Sequence, residues 1–454
     1  AKIEDFRCPE NPLDFHETWE KLRMLGNLGF PAPHKVVLLR KIRKADESPD
    51  RSINMVSCKS VYEPMEDSTL LETYVRQYAK GRVLDMGTGS GIQAITAAHS
   101  SKVESVLALD IQQSTIDYCN KNIKNRKIKF LVSDLFTTIK NNKKIKIKKF
   151  DTILFNPPYL PQELKVKDLT LEGGKKGYEV IERFLNEANN HLEPDGVILI
   201  VFSSLTKKEK VDEFIRNNLL EFELLEKQHY FFEDLYVYKI WKSDILKELE
   251  KNGITNLKYF AKGKRGIVYT GSYKNKKVAI KIKNPESKAI LRINNETKYL
   301  KLLNKKDIGP KLLFSDENYL IYEFIDGINI AEFFEKITMN KNIIIIMNII
   351  KKTMKQLYMM DKLRIEKQEM SHPQKHIIIN KKNNPTLIDF ERCKYTLNPG
   401  NVTQFCDFLI SGNIITTLKN YKIIMDKNKI IQLSKKYKKQ QNKRTFDDIV
   451  REIR

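Results

Sequence analysis

From Val61 to about Trp241, short apolar runs alternate with amphipathic segments, and this alternation limits the possible folds more than any other feature of the chain. The runs have the length of buried strands, and the segments between them have the apolar spacing of helices. Such an alternation predicts a mostly parallel sheet with helices on both faces. Five strands are predicted, at Val83–Asp85, Ser105–Asp110, Ile128–Val132, Phe150–Phe155 and Gly196–Phe202. Late strands are predicted within Phe231–Ile240.

A different pattern follows a polar helix predicted at Asp244–Asn252. Residues Leu257–Lys283 alternate like a small antiparallel sheet, a helix is predicted from about Lys288 to Leu303, and two more strands end at Glu323. Beyond Asp326 the pattern is mainly helical. Because 454 residues exceed one ordinary hydrophobic core, we predict an N-terminal extension of unassigned role at 1–54, an α/β domain at 55–242 and a smaller α+β domain at 243–454.

The charge of the chain is strongly positive, at +24. This excess favours polyanionic partners such as RNA or a ribosome, although an AT-rich genome that favours lysine explains it equally well. The lysine-rich end, Lys427–Arg454, is predicted as a helix or frayed tail with a solvated face, and an RNA-contacting arm is the alternative.

The five cysteines form no Cys-x-x-Cys pair, which argues against a disulfide framework or a zinc knuckle and fits a reducing cytoplasm. The apolar stretch Ile343–Ile350 is too short to span a bilayer and predicts a buried helix. We therefore expect a cytoplasmic protein with no membrane partner.

A glycine-rich turn, Asp85–Gly91, follows the first predicted strand and opens a helix. Glycines such as Gly87 and Gly89 let the backbone approach a nucleoside closely. Asp110 ends the next strand, where a carboxylate can take both ribose hydroxyls, and Asp134 ends the third, where a side chain reaches an adenine edge. Asp85 can meet an amino acid portion. Each aspartate alone could cap a helix, but three at successive strand ends predict an adenosyl pocket.

The segment Asn156-Pro157-Pro158-Tyr159 follows the fourth predicted strand. Two prolines restrict its backbone, so the Asn156 side-chain oxygen and the Pro157 carbonyl can accept both hydrogens of one flat amide or amine nitrogen. Tyr159 can stack on the planar group. Orientation of this kind supplies about 7–11 kcal/mol of a barrier. A loop that merely caps a strand is the alternative. We predict Asn156, Pro157 and Tyr159 as the catalytic residues of an S-adenosylmethionine-dependent N-methyltransferase.

Four segments together resemble the HemK-like protein methyltransferases: Val61–Ser68, Asp85–Gly91, Asn156–Pro161 and Gly173–Val180. The most similar branch is the archaeal and eukaryotic one that methylates the glutamine of the Gly-Gly-Gln tip in peptide-chain release factors. The resemblance implies a Rossmann-like class I methyltransferase domain, a release factor as substrate and a small zinc-binding activator subunit as partner. It also implies cofactor contacts at Ser68, Asp85, Gly87, Asp110, Asp134, Leu135 and Asn156.

The resemblance leaves the methyl acceptor open. Related enzymes methylate lysine, and the Asn-Pro-Pro-Tyr loop occurs in adenine-N6 methyltransferases. A tRNA or other nucleic-acid adenine is therefore the alternative substrate.

The second domain contains an ordered series of residues that predicts nucleotide binding. Gly263 and Gly266 lie in a turn that can cover phosphates, Lys281 on the next strand can reach them, and Glu296 on the following helix can pair with Lys281. Asp389 could hold a magnesium ion for ATP. A surface hairpin with an isolated lysine is the alternative.

This series resembles small atypical kinases of the Rio type, and especially archaeal kinase-like proteins with an Ile-Asp-Phe-Glu-Arg segment, here Ile388–Arg392. It implies a small α+β protein-kinase-like domain fused to the methyltransferase. The catalytic positions differ, because Ser371 replaces the catalytic aspartate, His376 the metal-binding asparagine and Glu391 a glycine. Glu369 could serve as the base, the domain could bind ATP without transfer, or it could phosphorylate an unusual substrate such as RNA. A pseudokinase scaffold that delivers the methyltransferase is a further alternative.

Overall fold

The computed structural model describes residues 64–143, 145, 148–160, 173–231, 233–263, 266–284, 292–336 and 343–453. The predicted extension at 1–54, residues 61–63 and 161 of the quoted motifs, and Lys264 and Arg265 of the second glycine turn lie outside these residues. The chain forms two compact units that divide between Asp244 and Ile245.

The first unit is built on one seven-stranded sheet. Its strands are β1 (Gly81–Met86), β2 (Val103–Asp110), β3 (Ile128–Val132), β4 (Phe150–Phe155), β5 (Leu192–Ser203), β6 (Leu220–Tyr230) and β7 (Glu233–Lys242). The order is β3-β2-β1-β4-β5-β7-β6, with β1 to β5 parallel and β7 antiparallel to both neighbours. The five predicted strands are confirmed.

In the described part of this unit, six helices accompany the sheet: α1 (Glu66–Tyr78), α2 (Ile92–His99), α3 (Gln113–Asn122), α4 (Thr137–Asn141), α5 (Glu179–Ala188) and α6 (Lys208–Asn217). The chain runs outward from β1 to β3 and then returns to place β4 beside β1. This reversal opens a crevice at the carboxyl ends of the strands, which is where open α/β sheets bind ligands.

The second unit begins within α7 (Asp244–Lys251) and contains a five-stranded antiparallel sheet. Its strands are β8 (Thr255–Lys262), β9 (Gly266–Tyr273), β10 (Lys276–Lys283), β11 (Leu312–Ser315) and β12 (Tyr319–Glu323), in the order β11-β12-β10-β9-β8. Helix α8 (Arg292–Asn304) connects β10 to β11. The hairpin between β9 and β10 turns at Lys274 and Asn275, which both have positive φ.

The rest of this unit is mainly helical, as predicted. Its helices are α9 (Ile330–Lys336), α10 (Ile343–Lys362), α11 (Asn401–Leu409), α12 (Gly412–Asn420), α13 (Lys427–Gln440) and α14 (Lys443–Glu452). Five short strands form two small sheets: β13 (Gly327–Asn329), β14 (Ile365–Lys367), β15 (Ile377–Asn380), β16 (Pro385–Leu387) and β17 (Cys393–Tyr395). Helix α10 buries Ile346, Ile350 and Met354. Within the described part of the chain, no helix is long and apolar enough to cross a membrane.

The C-terminal segment was predicted as a helix or frayed tail with a solvated face. It forms the helices α13 and α14, whose lysines are mostly exposed. The frayed tail is not found, because the opposite faces of both helices pack into the core of the second unit through Ile430, Tyr437, Phe446 and Ile449. The lysines between these residues obscured an apolar stripe of helical spacing.

Candidate active site

A cavity of about 230 Å³ lies at the carboxyl ends of β1 to β4 in the first unit. It is lined by the glycine-rich turn after β1, by the residues that follow β2 and β3, and by the Asn-Pro-Pro-Tyr loop after β4. Nine of the predicted site residues line it together: Ser68, Gly87, Gly89, Asp110, Asp134, Leu135, Asn156, Pro157 and Tyr159.

The glycine-rich turn adopts left-handed conformations that glycine tolerates best, with φ of 67° at Gly87, 52° at Gly89 and 84° at Gly91. A β-carbon at Gly91 would lie 2.5 Å from the side chain of Ile123 on the segment after α3. The turn is tied to β2, because the Thr88 amide donates to the Leu109 carbonyl at 2.8 Å. The backbone can therefore approach a ligand without intervening side chains.

Asp110 is held by two backbone amides at the end of β2. Its Oδ1 accepts from Gln112 at 3.0 Å and its Oδ2 accepts from Gly89 at 3.1 Å. Burial raises the pKa of this carboxyl group. The neighbouring Ile111 is 51% exposed and lines the cavity. A fixed carboxylate beside an exposed apolar side chain suits a ribose diol and the face of a base.

Asp85 is placed differently from the other predicted residues, because it does not line the cavity. It is 1% exposed and accepts a hydrogen bond from the Thr88 hydroxyl at 2.6 Å. Burial raises its pKa to about 7. The side chain supports the glycine-rich turn from within, and its direct contact with a cofactor stays a prediction.

Asp134 forms an ion pair of 2.7 Å with Arg183, and both side chains line the cavity. Sequence reasoning missed Arg183, since it lies on α5, 49 residues beyond Asp134. The turn after β3 is fixed by Ser133, whose hydroxyl donates to the Leu135 carbonyl at 2.6 Å. Leu135 has φ of 45°. This rim of the cavity is therefore both charged and ordered.

Asn156 faces the cavity with its side-chain nitrogen already engaged, because Nδ2 donates to the Ser68 hydroxyl at 3.2 Å. Among the described residues, none donates a hydrogen bond to Asn156 Oδ1. The carbonyl end of the carboxamide therefore remains able to accept a hydrogen bond from a second molecule.

Tyr159 is 5% exposed, and its hydroxyl donates to Asp67 Oδ2 at 3.0 Å. The ring therefore presents little surface for the stacking that we predicted.

Asp67 is 3% exposed and lies within a motif that we recognised, but sequence reasoning gave it no role. Gln93 was also missed, and its side chain donates to the Ser68 carbonyl at 2.8 Å.

Comparison with known proteins assigns the first unit. The family model for the methyltransferase small domain matches residues 66–232. A protein of Methanocaldococcus jannaschii named "Putative protein N5-glutamine methyltransferase" is 33% identical over 189 residues, which cover 40% of this chain and 92% of that protein. The chain therefore belongs to the family of the methyltransferase small domain.

Two bacterial relatives match over shorter parts. The ribosomal protein uL3 glutamine methyltransferase of Bradyrhizobium diazoefficiens is 33% identical over 29% of this chain and 43% of its own length. The release factor glutamine methyltransferase of Rhodopirellula baltica is 33% identical over 27% of this chain and 45% of its own length. The chain thus spans less than half of these two relatives.

Among solved structures, the methyltransferase unit is similar to the E. cuniculi Mtq2–Trm112 complex responsible for methylation of the eRF1 translation termination factor. The sequence identity is 24%, the TM-score is 0.33, and the match covers 40% of this chain and 99% of that one.

The methyltransferase unit can accommodate S-adenosylmethionine by the chemistry of its lining. Asp110 offers a carboxylate for hydroxyl groups, and the glycine-rich turn offers backbone close to a ligand. The Asn-Pro-Pro-Tyr loop, Asn156–Tyr159, here called the acceptor loop, lines the same cavity. A methyl donor held by these residues would share the cavity with Asn156, whose carbonyl oxygen can accept a hydrogen bond.

The second unit gathers a separate cluster of charges around Lys281 on β10. Its Nζ lies 2.7 Å from Glu296 on α8, 2.9 Å from Asp389 and 3.3 Å from Glu391. Burial favours the neutral form of Lys281, but these carboxylates prevail and its pKa lies well above the usual value. One oxygen from each of Glu296, Asp389 and Glu391 lies within 4.8 Å of the others, a spacing that could hold a metal ion.

Asp389 adopts a left-handed conformation, with φ of 63°. Burial opposes its ionisation, but Lys281 and Lys367 outweigh this effect and lower its pKa to about 2. The Phe390 amide donates to Glu296 Oε1 at 3.1 Å. The predicted pair of Lys281 and Glu296 is therefore brought together with Asp389.

The other predicted residues of this unit lie around the same cluster. The Gly263 amide donates to the Gly266 carbonyl at 2.9 Å, and a β-carbon at Gly266 would lie 3.2 Å from Lys281 Cε. His376 Nε2 lies 3.2 Å from Glu369, which also forms an ion pair with Arg392.

Ser371, at the position predicted for the catalytic base, has its hydroxyl 3.1 Å from Nδ1 of its neighbour His372. A serine hydroxyl is not a general base by itself.

Proposed function

We propose that the methyltransferase unit transfers a methyl group from S-adenosylmethionine to the side-chain amide nitrogen of a glutamine in a peptide-chain release factor. The observation that carries this proposal is the orientation of Asn156, whose nitrogen is held by Ser68 while its oxygen is left to accept. The names of three relatives, which specify glutamine methyltransferases, support the same substrate class.

The chemistry follows from what these side chains can hold. S-adenosylmethionine supplies an electrophilic methyl group on a sulfonium. Asn156 Oδ1 and the Pro157 carbonyl accept the two hydrogens of the glutamine amide, which turns the face of its nitrogen toward that methyl group. The amide nitrogen would bond to the methyl carbon as the carbon–sulfur bond of the donor breaks, leaving S-adenosylhomocysteine, and would release one proton to water. No strong base is needed, because positioning supplies most of the acceleration.

The experiment that tests this proposal is mass spectrometry of the methylated product. The full chain is incubated with isotope-labelled S-adenosylmethionine and either a release factor or tRNA. We expect label on one glutamine of the release factor. Label in tRNA alone would contradict the glutamine assignment and support the adenine alternative.

The proposal includes the small zinc-binding activator subunit that the sequence resemblance implies. If the activator is needed, the chain purified alone should methylate slowly, and co-expression with the activator should raise both solubility and turnover. Full activity of the chain alone would exclude that partner as a requirement.

We infer that the second unit is kinase-like and binds a nucleoside triphosphate with magnesium. In support, a lysine on the third strand pairs with a glutamate on the helix that follows, as in protein kinases. Asp389, Glu296 and Glu391 offer carboxylate oxygens of the kind that magnesium prefers.

Phosphoryl transfer by this unit is expected to be slow. Loss of a general base lowers the reaction rate by a factor of about 10²–10⁴. Glu369, the alternative base, is already paired with Arg392 and His376. Magnesium and a fluorescent ATP analogue should bind the full chain, and Lys281→Ala or Asp389→Asn should remove this binding. Phosphate transfer to protein or RNA that is lost in both variants would contradict the scaffold alternative.

A further inference from the structure

The first turn of α1 places a buried carboxylate against the acceptor loop. Asp67 lies at the second position of this helix and is 3% exposed. Its neighbour Glu66, in the same turn, is exposed. Asp67 is therefore directed inward, although it carries a charge that would be solvated at the surface.

Both oxygens of Asp67 are engaged by other parts of the protein. Oδ1 accepts from the Ser68 amide at 2.7 Å and from the Ser68 hydroxyl at 3.4 Å, and Oδ2 accepts from the Tyr159 hydroxyl at 3.0 Å. Because its two oxygens hold groups of α1 and of the segment after β4, Asp67 fixes Ser68 and Tyr159 relative to each other.

The hydroxyl of Ser68 links this carboxylate to Asn156. A hydroxyl group has one hydrogen and two lone pairs. Since an ionised carboxylate can only accept, the Ser68 hydrogen is directed to Asp67, and the Ser68 oxygen accepts from Asn156 Nδ2 at 3.2 Å. This arrangement distinguishes the two ends of the Asn156 carboxamide, because its carbonyl oxygen would face an unfavourable lone pair at Ser68.

We propose that Asp67 is a positioning residue for methyl transfer, which acts through Ser68 to keep the carbonyl oxygen of Asn156 turned toward the methyl acceptor. The identity of the acceptor rests on the proposed function, whereas the orientation of Asn156 does not. Without Asp67, the Ser68 hydroxyl is free to donate to Asn156 Oδ1, and the reversed carboxamide would present its N–H₂ group to the acceptor nitrogen.

The variant Asp67→Ala tests this role, and Asp67→Asn is its conservative partner because an amide oxygen can still accept from Ser68. Glu66→Ala is the matched control, with the same loss of charge one residue away on the exposed side. We expect kcat to fall about 100-fold in Asp67→Ala, to recover most of this loss in Asp67→Asn, and to stay unchanged in Glu66→Ala. Calorimetry should show similar affinity for S-adenosylhomocysteine in all three variants.

A second readout is independent of the acceptor. In the full chain labelled with ¹⁵N-asparagine, the side-chain signals of Asn156 are identified by their absence in Asn156→Ser. We expect one Nδ2 hydrogen to exchange slowly in the wild type and in Asp67→Asn, and rapidly in Asp67→Ala. Unfolding curves that match the wild type establish that Asp67→Ala is folded.

Failure of this inference and failure of the proposed function are distinguishable. Unchanged exchange of the Asn156 amide in folded Asp67→Ala, or equal kcat in Asp67→Ala and Glu66→Ala, would overturn the positioning role whatever the substrate is. If the wild type methylates no glutamine while the exchange pattern follows expectation, the substrate assignment fails and the role of Asp67 in orienting Asn156 stands.

Discussion

Asn156 and Asp110 lie 46 residues apart in the chain, yet each is oriented by hydrogen bonds to groups that line the same cavity. Asn156 is held by a hydroxyl on α1, and Asp110 by amides of the glycine-rich turn and of its own loop. Each side chain therefore keeps its direction without a ligand, which is the condition for catalysis by positioning.

Replacement of Asn156 by alanine should separate chemistry from binding. The variant loses the acceptor for the amide hydrogens but keeps Asp110 and the glycine-rich turn, so methyl transfer should fall about 100–1000-fold while cofactor affinity changes little. Single-turnover kinetics and calorimetry measure the two effects. Asn120→Ala, at an exposed position on α3, is the control. Unchanged turnover, or lost cofactor binding, would contradict the assigned role.

Asp85 provides a prediction about pH. Burial raises its pKa from an ordinary value near 3.8 to about 7 in the folded protein, so the folded state holds this proton more tightly than the unfolded state. The resulting stabilisation is complete below about pH 4 and is lost as the pH rises to 7. The asparagine side chain of Asp85→Asn does not titrate over this pH range. The free energy of unfolding of the wild type relative to Asp85→Asn should therefore fall over this range, by at most about 1.4 kcal/mol per pH unit.

Urea titration of the first unit, followed by Trp241 fluorescence in a Trp19→Phe background, measures this difference. The comparison cancels other titrating groups, because they are shared by both proteins. A difference that does not vary between pH 4 and 7 would show that Asp85 keeps an ordinary pKa.

The sequence predicted which residues line the cavity better than it predicted how they are held. Glycines and aspartates at strand ends indicate a nucleoside pocket, since parallel strands bring their carboxyl ends to one edge. The partners of these residues come from distant elements, such as Arg183 on α5 for Asp134, and no spacing rule indicates them. Tyr159 shows the same limit, because the partner of its hydroxyl is Asp67, 92 residues earlier.

Elements were predictable where their apolar residues are concentrated. The strands β3 and β4 have the predicted bounds, whereas β6 was missed because it lies at the edge of the sheet and most of its residues are partly or fully exposed. The packed helices α13 and α14 were underestimated for a related reason, since charged residues are frequent in both and only one face is buried.

The segment before α5 supports the acceptor loop through backbone contact. The Gly173 amide donates to the Leu160 carbonyl at 2.9 Å. A β-carbon at Gly173 would lie 2.6 Å from the Pro158 carbonyl and 2.2 Å from the Gly177 carbonyl. Neither carbonyl is a flexible side chain, so any larger residue at this position must displace the loop.

Gly173→Ala should therefore lower methyl transfer without abolishing cofactor binding. The displaced loop misplaces Asn156, and a shift of about 1 Å costs a factor of about 100 in rate. Gly412→Ala is a suitable control, because its β-carbon would contact nothing within 4 Å. Wild-type kinetics in Gly173→Ala would show that the loop can move without loss of alignment.

The whole molecule contains two units, and each candidate site is built from the side chains of one of them. A ligand that binds only one folded unit raises the stability of that unit, by about 2.7 kcal/mol at a concentration 100 times its dissociation constant. S-adenosylhomocysteine should therefore raise the melting temperature of one calorimetric transition, and magnesium with a nucleoside triphosphate should raise that of another.

Site variants assign the two transitions. Asp110→Ala should remove the shift caused by S-adenosylhomocysteine alone, and Asp389→Asn should remove the shift caused by the nucleotide alone. A nucleotide that shifts no transition of the wild type would count against the kinase-like assignment of the second unit.

The double engagement of Asp110 has a consequence for the speed of ligand capture. Its two oxygens join the glycine-rich turn to the loop after β2 through bonds that lie wholly within the protein. The conformational entropy of ordering these loops is thus already lost on folding and does not oppose association. The association rate of S-adenosylmethionine should then be set by diffusion and desolvation. The backbone of the free and the bound protein should differ little.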